Sequence, residues 1–243
     1  MKTFISKNIL TAFFLASAAF TFSSCEQTVL RGHGGDVTRT RTVGNFDEID
    51  MGGEFEVYLT QGEAKDIVLE GQENVLADIR TVTNNNKLKI DFRSHRVKIT
   101  DPVRVYITTP NLKALSFSGS NTVRGLTDWK VNDLDLKTSG SGSINLTLIG
   151  ADEVESSISG SGEIILGGEA NEHNLDISGS GKLKAFELYT KVTNVNISGS
   201  GKADVRASER LKASISGSGK VRYKGNPGIE SSVSGSGKIE RAD

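Results

Sequence analysis

Seven copies of a short serine-glycine motif constrain the fold of this chain more than any other feature. The copies begin at Ser118 (as "SGSN") and, as "SGSG", at Ser139, Ser159, Ser178, Ser198, Ser216 and Ser234. The successive spacings are 21, 20, 19, 20, 18 and 18 residues. A period of this length, kept over seven copies, is typical of a solenoid in which each repeat forms one coil and buries its apolar face against the next.

Two columns of mostly aliphatic residues flank the motif and argue against a flexible linker. The residues before it are Phe117, Thr138, Ile158, Ile177, Ile197, Ile215 and Val233. The residues five positions after its first serine are Val123, Ile144, Ile164, Leu183, Ala203, Val221 and Ile239. Around each copy, polar and apolar residues alternate with period two, and β-branched residues are frequent, which favours strands over helices. We therefore predict an all-β chain that forms a right-handed parallel β-helix with coils of 18–21 residues, the hand following from the general crossover rule.

The conformation of the motif itself has two possible interpretations. In a flat strand, Ile177 and Leu183 share the inner face with the two glycines between them, and the two serines lie outside. Alternatively, the glycines bend the chain at a corner with positive φ, and the serines turn inward to hydrogen-bond along the stack. We favour the bend, because seven pairs of glycines in flat strands would leave the inner face poorly packed.

The region before the repeats is also rich in strand signals. Residues 55–61, 66–71, 87–92 and 103–108 alternate in polarity, with turns expected at residues 52–53 and 83–87. We predict that residues 36–115 form an irregular β-rich part that starts and caps the stack, and that residues 116–243 form the repeat β-helix. At the other end, Lys238, Glu240 and Arg241 are expected to protect an open edge, and open coil ends could join two copies of the chain.

The N-terminus has the pattern of a secretory signal. Lys2 and Lys7 precede an apolar run over residues 9–20, which is too short to span a bilayer, and small residues lead to Cys25, the only cysteine. We interpret residues 1–24 as a lipoprotein signal peptide, Cys25 as the lipidated first residue of the mature chain, and residues 25–35 as anchor and linker. The alternative is a conventional cleavage after residues 17–19, with Cys25 as an unmodified thiol. The first interpretation predicts a lipid-anchored protein of the cell envelope, held in the outer membrane.

One column of lysines is a candidate ligand-binding surface. Lys182, Lys202, Lys220 and Lys238 occupy the same position after the motif, so stacked coils would align them in a stripe that suits polyanions such as acidic glycans or phosphorylated lipid headgroups. The alternative is a solvated face whose lysines guard against aggregation. The net charge of −1 and the few aromatic residues give no indication of nucleic-acid binding.

Other candidate residues give weaker signals. Trp129 could serve as an exposed platform for a glycan, but a core position is the commoner role for a single tryptophan beside a strand. His33, His95 and His173 have no cysteine or carboxylate at ligand spacing, so we expect no metal site and no cofactor. The acidic clusters at residues 47–50 and 152–155 could supply an acid and a base to a polysaccharide-degrading enzyme, yet their placement between strands favours solvation.

An ordered series of segments carries a resemblance to a known family. The segments are "NFDEIDMGGEFEVYLTQGEAKDIVLEG", "NKLKID" and "VRVYITTPNLKALSFSGSNTV", followed by the "SGSG" coils and preceded by a lipoprotein-like signal. Together they resemble the putative auto-transporter adhesin head GIN domain family, largely uncharacterised envelope proteins common in Bacteroidetes-type bacteria, over residues from about 42 to 239. The resemblance implies a β-helical fold outside the cytoplasm and brings no catalytic or binding residues with it.

The sequence thus predicts a non-enzymatic, lipid-anchored envelope protein that acts in adhesion or in binding glycans or proteins. Two alternatives from other classes stay open, namely a polysaccharide-degrading β-helix enzyme and a structural scaffold of the envelope.

Overall fold

The protein is a stack of β-strands, seen in a computed structural model that describes residues 29–94, 96–99 and 101–243. In chain order the strands are β1 (Leu30–Arg31), β2 (Asp36–Arg41), β3 (Glu48–Gly53), β4 (Phe55–Gln61), β5 (Ile67–Gln72), β6 (Ile79–Asn84), β7 (Lys87–Phe92), β8 (Val97–Lys98), β9 (Val103–Thr109), β10 (Ala114–Gly119), β11 (Thr122–Gly125), β12 (Trp129–Lys130), β13 (Asp133–Gly140), β14 (Ser143–Gly160), β15 (Glu163–Gly179), β16 (Lys182–Gly199), β17 (Lys202–Gly217), β18 (Lys220–Lys224), β19 (Gly228–Gly235) and β20 (Lys238–Arg241). Within the described residues a single short helix, α1 (Glu73–Asp78), interrupts this series.

The repeats stack as parallel coils in register. β10 pairs with β13, and the pairing continues coil by coil through β14, β15, β16 and β17 to β18, β19 and β20, always parallel. Each motif serine lies directly over the one before it, from Ser118 on Ser139 to Ser216 on Ser234. The predicted parallel β-solenoid is therefore confirmed, with about 6 turns.

The motif forms a corner at its first glycine. This residue has positive φ in every copy, for example +116° at Gly179 and +118° at Gly199. The next backbone amide donates to the carbonyl of the matching glycine one coil earlier, as in Ser200 N–H to Gly179 O at 2.8 Å. A Cβ on Gly199 would lie 2.6 Å from that same oxygen, so both the backbone angle and the available space require glycine. The predicted bend is confirmed, but the motif serines are exposed, and the expectation that they turn inward is wrong.

The second glycine makes room for the isoleucine that precedes the motif one coil earlier. Gly181 is buried, and a Cβ there would lie 2.3 Å from Cγ2 of Ile158. The same contact recurs between Gly201 and Ile177, at 2.5 Å. The aliphatic residue and the glycine pair therefore form one packing unit across two coils, which explains why they recur together.

The core is a set of continuous aliphatic columns along the stack axis. Ile158, Ile177, Ile197 and Ile215 follow one another in register and are 1–2% exposed. Burial of each such side chain contributes about 1.5–3 kcal/mol before the loss of conformational entropy is counted. Each coil also contributes to the second apolar column, which follows the motif. Both columns are covered by the neighbouring coils, so each coil depends on its neighbours for stability.

The N-terminal region starts the stack, but its coils are not in chain order. β3 lies under β10, with Gly53 aligned to Gly119, and β4 lies under β11. β7 and β9, which follow later in the chain, lie under β3 and β4. The β3–β4 coil is thus enclosed between the β7–β9 coil and the first repeat coil.

The two ends of the stack are finished differently. At the N-terminal end, β6 pairs antiparallel with β7, β5 with β9, and β2 with β5. The turn expected at residues 83–87 is confirmed by positive φ at Asn85 and Asn86. At the C-terminal end, no antiparallel strand among the described residues covers β19, and every residue of this strand is exposed.

Three sequence predictions fall outside the described residues. They are the signal peptide at residues 1–24, the lipidated Cys25 and the expectation that His95 is not a metal ligand. Among the described residues, no helix has the length and apolar character needed to cross a membrane.

Candidate functional site

The four predicted lysines form one aligned column on an open sheet. Lys182 pairs in register with Lys202, Lys202 with Lys220, and Lys220 with Lys238. Strands at this pairing lie about 4.8 Å apart, so the ammonium groups follow the stack axis at nearly the spacing of the coils. The residues that directly follow the first three lysines, namely Leu183, Ala203 and Val221, are buried. Because successive side chains of a strand point to opposite faces, the lysines lie on the outer side of the sheet.

Further charged side chains extend this column into a wider surface, here called the basic face. Its residues are Lys182, Lys184, Lys202, Asp204, Arg206, Lys220, Arg222, Lys224, Lys238 and Glu240. Basic groups clearly outnumber acidic ones, although the chain as a whole is nearly neutral. Positive charge is therefore concentrated on this face and gives a local positive potential. The net charge of the whole chain does not show it.

Ion pairs hold some of these groups in place and leave others available. Arg222 forms a bidentate pair with Asp204, at 2.7 Å from Nε to Oδ1 and 2.5 Å from Nη2 to Oδ2. Lys220 lies 2.5 Å from Glu240 and holds the pKa of that carboxyl below its ordinary value. Among the described residues, Lys182, Lys202 and Lys238 have no ion-pair partner within 4.0 Å.

An aromatic side chain borders the basic face. The ring of Phe186 lies 5.3 Å from the guanidinium carbon of Arg222 and 4.9 Å from Nζ of Lys224. Further along the same strand as Phe186, the ring of Tyr189 is half exposed, and its centroid lies 4.3 Å from the guanidinium carbon of Arg206. These cation–π contacts order the long basic side chains, so that they present their charge at fixed places.

The same sheet has a different chemistry near the N-terminus. Tyr58 and Tyr106 stack with ring centroids 5.0 Å apart, and their hydroxyls donate to Glu56 and Glu70. Burial, followed by the contact with Glu70, raises the pKa of Tyr106. Sequence reasoning missed this pair, although a signal existed, because the tyrosines occupy the same place in two similar segments, "VYLT" and "VYIT".

A second open surface follows the motif serines. A shallow groove of about 600 Å³ lies over the strands before the corner. Its rims are the exposed motif serines and the residues two positions before them, among them Ser157, Asp176 and Asn196. Serines and isoleucines make up most of its lining, and its charged residues, Lys137 and Asp176, have opposite signs, so the groove has no net charge that would select a ligand.

Trp129 and the histidines are not part of an exposed site. Trp129 is 0% exposed and stacks in register on Leu148, so the core role is the one that the structure shows and its ring offers no platform. His173 is buried, and its Nε2 lies 3.0 Å from Oγ of Ser156. Burial lowers the pKa of His173 to about 4, which keeps the ring neutral. His33 is exposed and lies in the N-terminal region, far along the chain from His173.

Two carboxylates of each acidic cluster are engaged in local contacts. Asp47 pairs with Lys113 at 2.6 Å and Glu48 with Lys87 at 3.0 Å. The side-chain amide of Asn171 donates to Asp152, and that of Asn174 donates to Glu153. In the described part of the chain, no group of three or more potential metal ligands occurs. Glu48 and Asp50 lie within β3, and the whole second cluster lies within β14, so the expectation that these clusters fall between strands is wrong.

Comparison with known proteins supports the fold and gives a family. Residues 45–227 match the family model described as "Putative auto-transporter adhesin, head GIN domain". No curated protein matches the chain.

Several solved structures have the same fold. A putative adhesin from Bacteroides fragilis shares 26% identity with a TM-score of 0.82, covering 88% of this chain and 100% of that one. A putative lipid binding protein from Parabacteroides distasonis shares 25% identity with a TM-score of 0.75, covering 89% of this chain and 100% of that one. A putative adhesin from Parabacteroides distasonis, at 24% identity and a TM-score of 0.72, covers 88% of this chain and 100% of that one and supports the fold alone.

Proposed function

The chain belongs to the putative auto-transporter adhesin head GIN domain family, and from this membership we propose that it is a lipid-anchored envelope protein that binds an acidic glycan on its basic face without catalysing a reaction. The observation that carries the proposal is the in-register column of Lys182, Lys202, Lys220 and Lys238 on an uncovered sheet. The family description suggests adhesion as the function. The lysine column would select ligands that carry negative charge.

The geometry of the basic face suits a linear polyanion. The lysines repeat over four successive coils, whereas the same position holds Ser143 and Glu163 in the two coils before, so a chain lying along the stack axis would meet a cation at each of these four steps. Lys182, Lys202 and Lys238 are available for such contacts because no carboxylate among the described residues lies within ion-pair distance of them. The aromatic border at Phe186 adds an apolar edge against which a sugar ring can pack.

Several observations favour binding over catalysis. Two carboxylates of each acidic cluster contact lysines or asparagine amides, and the two clusters lie in different parts of the stack. The only described histidine beside a serine is buried in the core, where no substrate reaches it. The chemistry of a polysaccharide-degrading enzyme would need an acid and a base facing one open groove.

The cellular position follows from the N-terminal sequence and is part of the same proposal. Lipidation of Cys25 would attach the mature chain to the outer membrane, with residues 25–35 as linker to the stack. Metabolic labelling with a fatty acid tests this directly. We expect label on the wild-type protein and none on Cys25→Ser, and label on both proteins would contradict the assignment.

The binding proposal is tested with two variants of equal charge change. Lys182→Glu/Lys202→Glu reverses two charges of the basic face, and Lys65→Glu/Lys191→Glu reverses two exposed lysines elsewhere. We expect the wild-type protein to bind a uronate polymer or a sulfated glycan, with affinity falling as salt increases. The first variant should lose about tenfold or more in affinity, and the second less than about twofold.

The remaining ligand classes are outcomes of the same experiment. If the protein binds phosphatidylglycerol vesicles and no glycan, its ligand is a lipid surface. One of the Parabacteroides distasonis relatives is described as a putative lipid binding protein. Release of reducing ends or unsaturated sugars, abolished in Asp152→Asn, would indicate the enzyme. Equal binding by both variants would exclude the basic face, and an envelope-integrity defect without any ligand would indicate the scaffold.

A further inference from the structure

The C-terminal end of the stack exposes residues that every other coil buries. Ile229 and Val233 on β19 are 47% and 44% exposed, whereas Leu211 and Ile215, directly beneath them in register, are 0% and 1% exposed. The outer edge of β19 also presents backbone N–H and C=O groups that have no partner strand among the described residues. Such an edge is a template for pairing with another strand.

We propose that a second copy of this chain covers this end, with β19 of the two copies pairing antiparallel about a two-fold axis at Ser231. The proposal does not depend on the basic face or on any ligand. Antiparallel pairing is the arrangement that a two-fold axis imposes on identical strands, and it uses the same edge on both copies.

The sequence of β19 is self-complementary in this register. Opposite residues of an antiparallel pair point to the same side, so inward residues must face inward residues. With Ser231 opposite Ser231 of the partner subunit, Ile229 lies opposite Val233 of the partner subunit. The inward-facing aliphatic residues of the last coil then meet each other across the junction.

The outward residues of β19 are compatible with the same register. Glu230 lies opposite Ser232 of the partner subunit, and Gly228 lies opposite Ser234 of the partner subunit. No two like charges face each other, and the serines and glycines leave the backbones free to approach. Because the pairing occupies the β19 edge of both copies, no β19 edge is left for a third chain.

A pair of single-cysteine substitutions tests the register in the full chain in detergent. Ser231→Cys puts two thiols on directly opposite residues, where the Cα separation of about 4.5–5.5 Å permits a disulfide. Ser232→Cys is the matched control, because the two thiols are then diagonal neighbours about 7–8 Å apart. Under mild oxidation we expect a covalent dimer from Ser231→Cys and no more dimer from Ser232→Cys than from the wild-type chain, which retains Cys25.

A substitution at the junction tests the association itself. Val233→Lys places a charge against Ile229 of the partner subunit and should lower the association constant more than about 100-fold in sedimentation equilibrium. Val233 is already 44% exposed in one copy, so the fold should be retained. A wild-type chain that stays monomeric, equal crosslinking of the two cysteine variants, or crosslinking only of Ser232→Cys would each overturn the proposal, as would a strand from a different protein occupying this edge.

Discussion

The repeat coils and the N-terminal coils use the same corner but surround it with different neighbours. At Gly199 the atom nearest to an added Cβ is a backbone oxygen, Gly179 O, at 2.6 Å. At Gly53, which belongs to the same column of the stack, the nearest atom is Cε2 of the Phe92 ring, at 2.8 Å. Phe92 in turn stacks on Phe55 with centroids 4.9 Å apart. The Phe92 ring can rotate away from an added methyl group, whereas the hydrogen-bonded backbone carbonyl of Gly179 cannot.

The difference teaches how each region specifies its structure. The repeat coils depend on backbone-to-backbone fit, which demands the same residue in every copy and leaves a periodic sequence. The N-terminal coils depend on individual side chains, a helix and antiparallel strands, so their sequence is irregular although two of their coils stack in the same way.

The largest expected effect comes from adding a methyl group at the corner. Gly199→Ala should lower the free energy of unfolding by about 4 kcal/mol, because positive φ and the clash with Gly179 O act together. Gly53→Ala should cost about 2 kcal/mol, since φ is also positive there but Phe92 can move. Urea denaturation of both variants, with Gly35→Ala as a control in open space, measures the difference. Equal losses at Gly199 and Gly53 would contradict the comparison.

The next effect concerns the buried histidine. Among the described histidines, it is the only one that lies in the repeat core. Burial lowers the pKa of His173 to about 4, so the folded protein keeps the ring neutral while the unfolded chain binds a proton below about pH 6.5. Stability is therefore unaffected above that pH and falls between about pH 6.5 and 4, by on the order of 3 kcal/mol.

The measurement is the free energy of unfolding as a function of pH for the wild-type protein and His173→Gln. Glutamine cannot take up a proton, so the variant should lose the slope in this window even if its stability at pH 7 is lower. Asp91 and Glu240, whose pKa values are lowered by their basic partners, contribute at the acid end of this window in both proteins, so their effect cancels in the comparison. An unchanged slope in the variant would assign the pH dependence to another group.

The smallest expected effects concern the polar surface, where the two regions should behave alike. In the repeats, Nδ2 of Asn194 donates to Oδ1 of Asn174 at 2.7 Å and to Oε1 of Glu172 at 2.9 Å. In the N-terminal hairpin, Arg80 forms a bidentate pair with Asp91 and lowers the pKa of that carboxyl. Asn194→Ala and Arg80→Ala should each cost about 1 kcal/mol or less, and only the second loss should shrink in high salt. A loss above about 2 kcal/mol at Asn194 would mean that the side-chain ladder, rather than the backbone fit, stabilises the coils.

Much of the repeat region could be predicted because each of its rules is local and recurs. The spacing of the motif predicted the coil, and the aliphatic columns predicted the core, as the buried Ile177 and Leu183 confirm. The serines were the exception, because the bend at the first glycine leaves the next residues on the outer side, and the sequence alone gave no measure of that angle.

The N-terminal region was predictable only in part. The strands β4, β5, β7 and β9 and the turn at Asn85 and Asn86 followed from alternation and turn residues. Their stacking out of chain order did not, because the pairing of β3 with β7 depends on contacts between distant segments that have no periodic signal. The register of the basic face followed from the repeat, and the core position favoured for Trp129 agrees with its burial, whereas the stacked Tyr58 and Tyr106 depend on packing that spacing does not encode.

The in-register stacking of the motif is tested most directly by distances between spin labels on motif serines, in a chain with Cys25 replaced by serine. Labels at positions 118 and 198 are four coils apart and those at 118 and 234 are six coils apart, so at about 4.8 Å for each coil we expect separations of about 19 Å and about 29 Å, with narrow distributions. Distances that do not grow with the number of coils, or broad distributions at both pairs, would contradict the stacked β-solenoid.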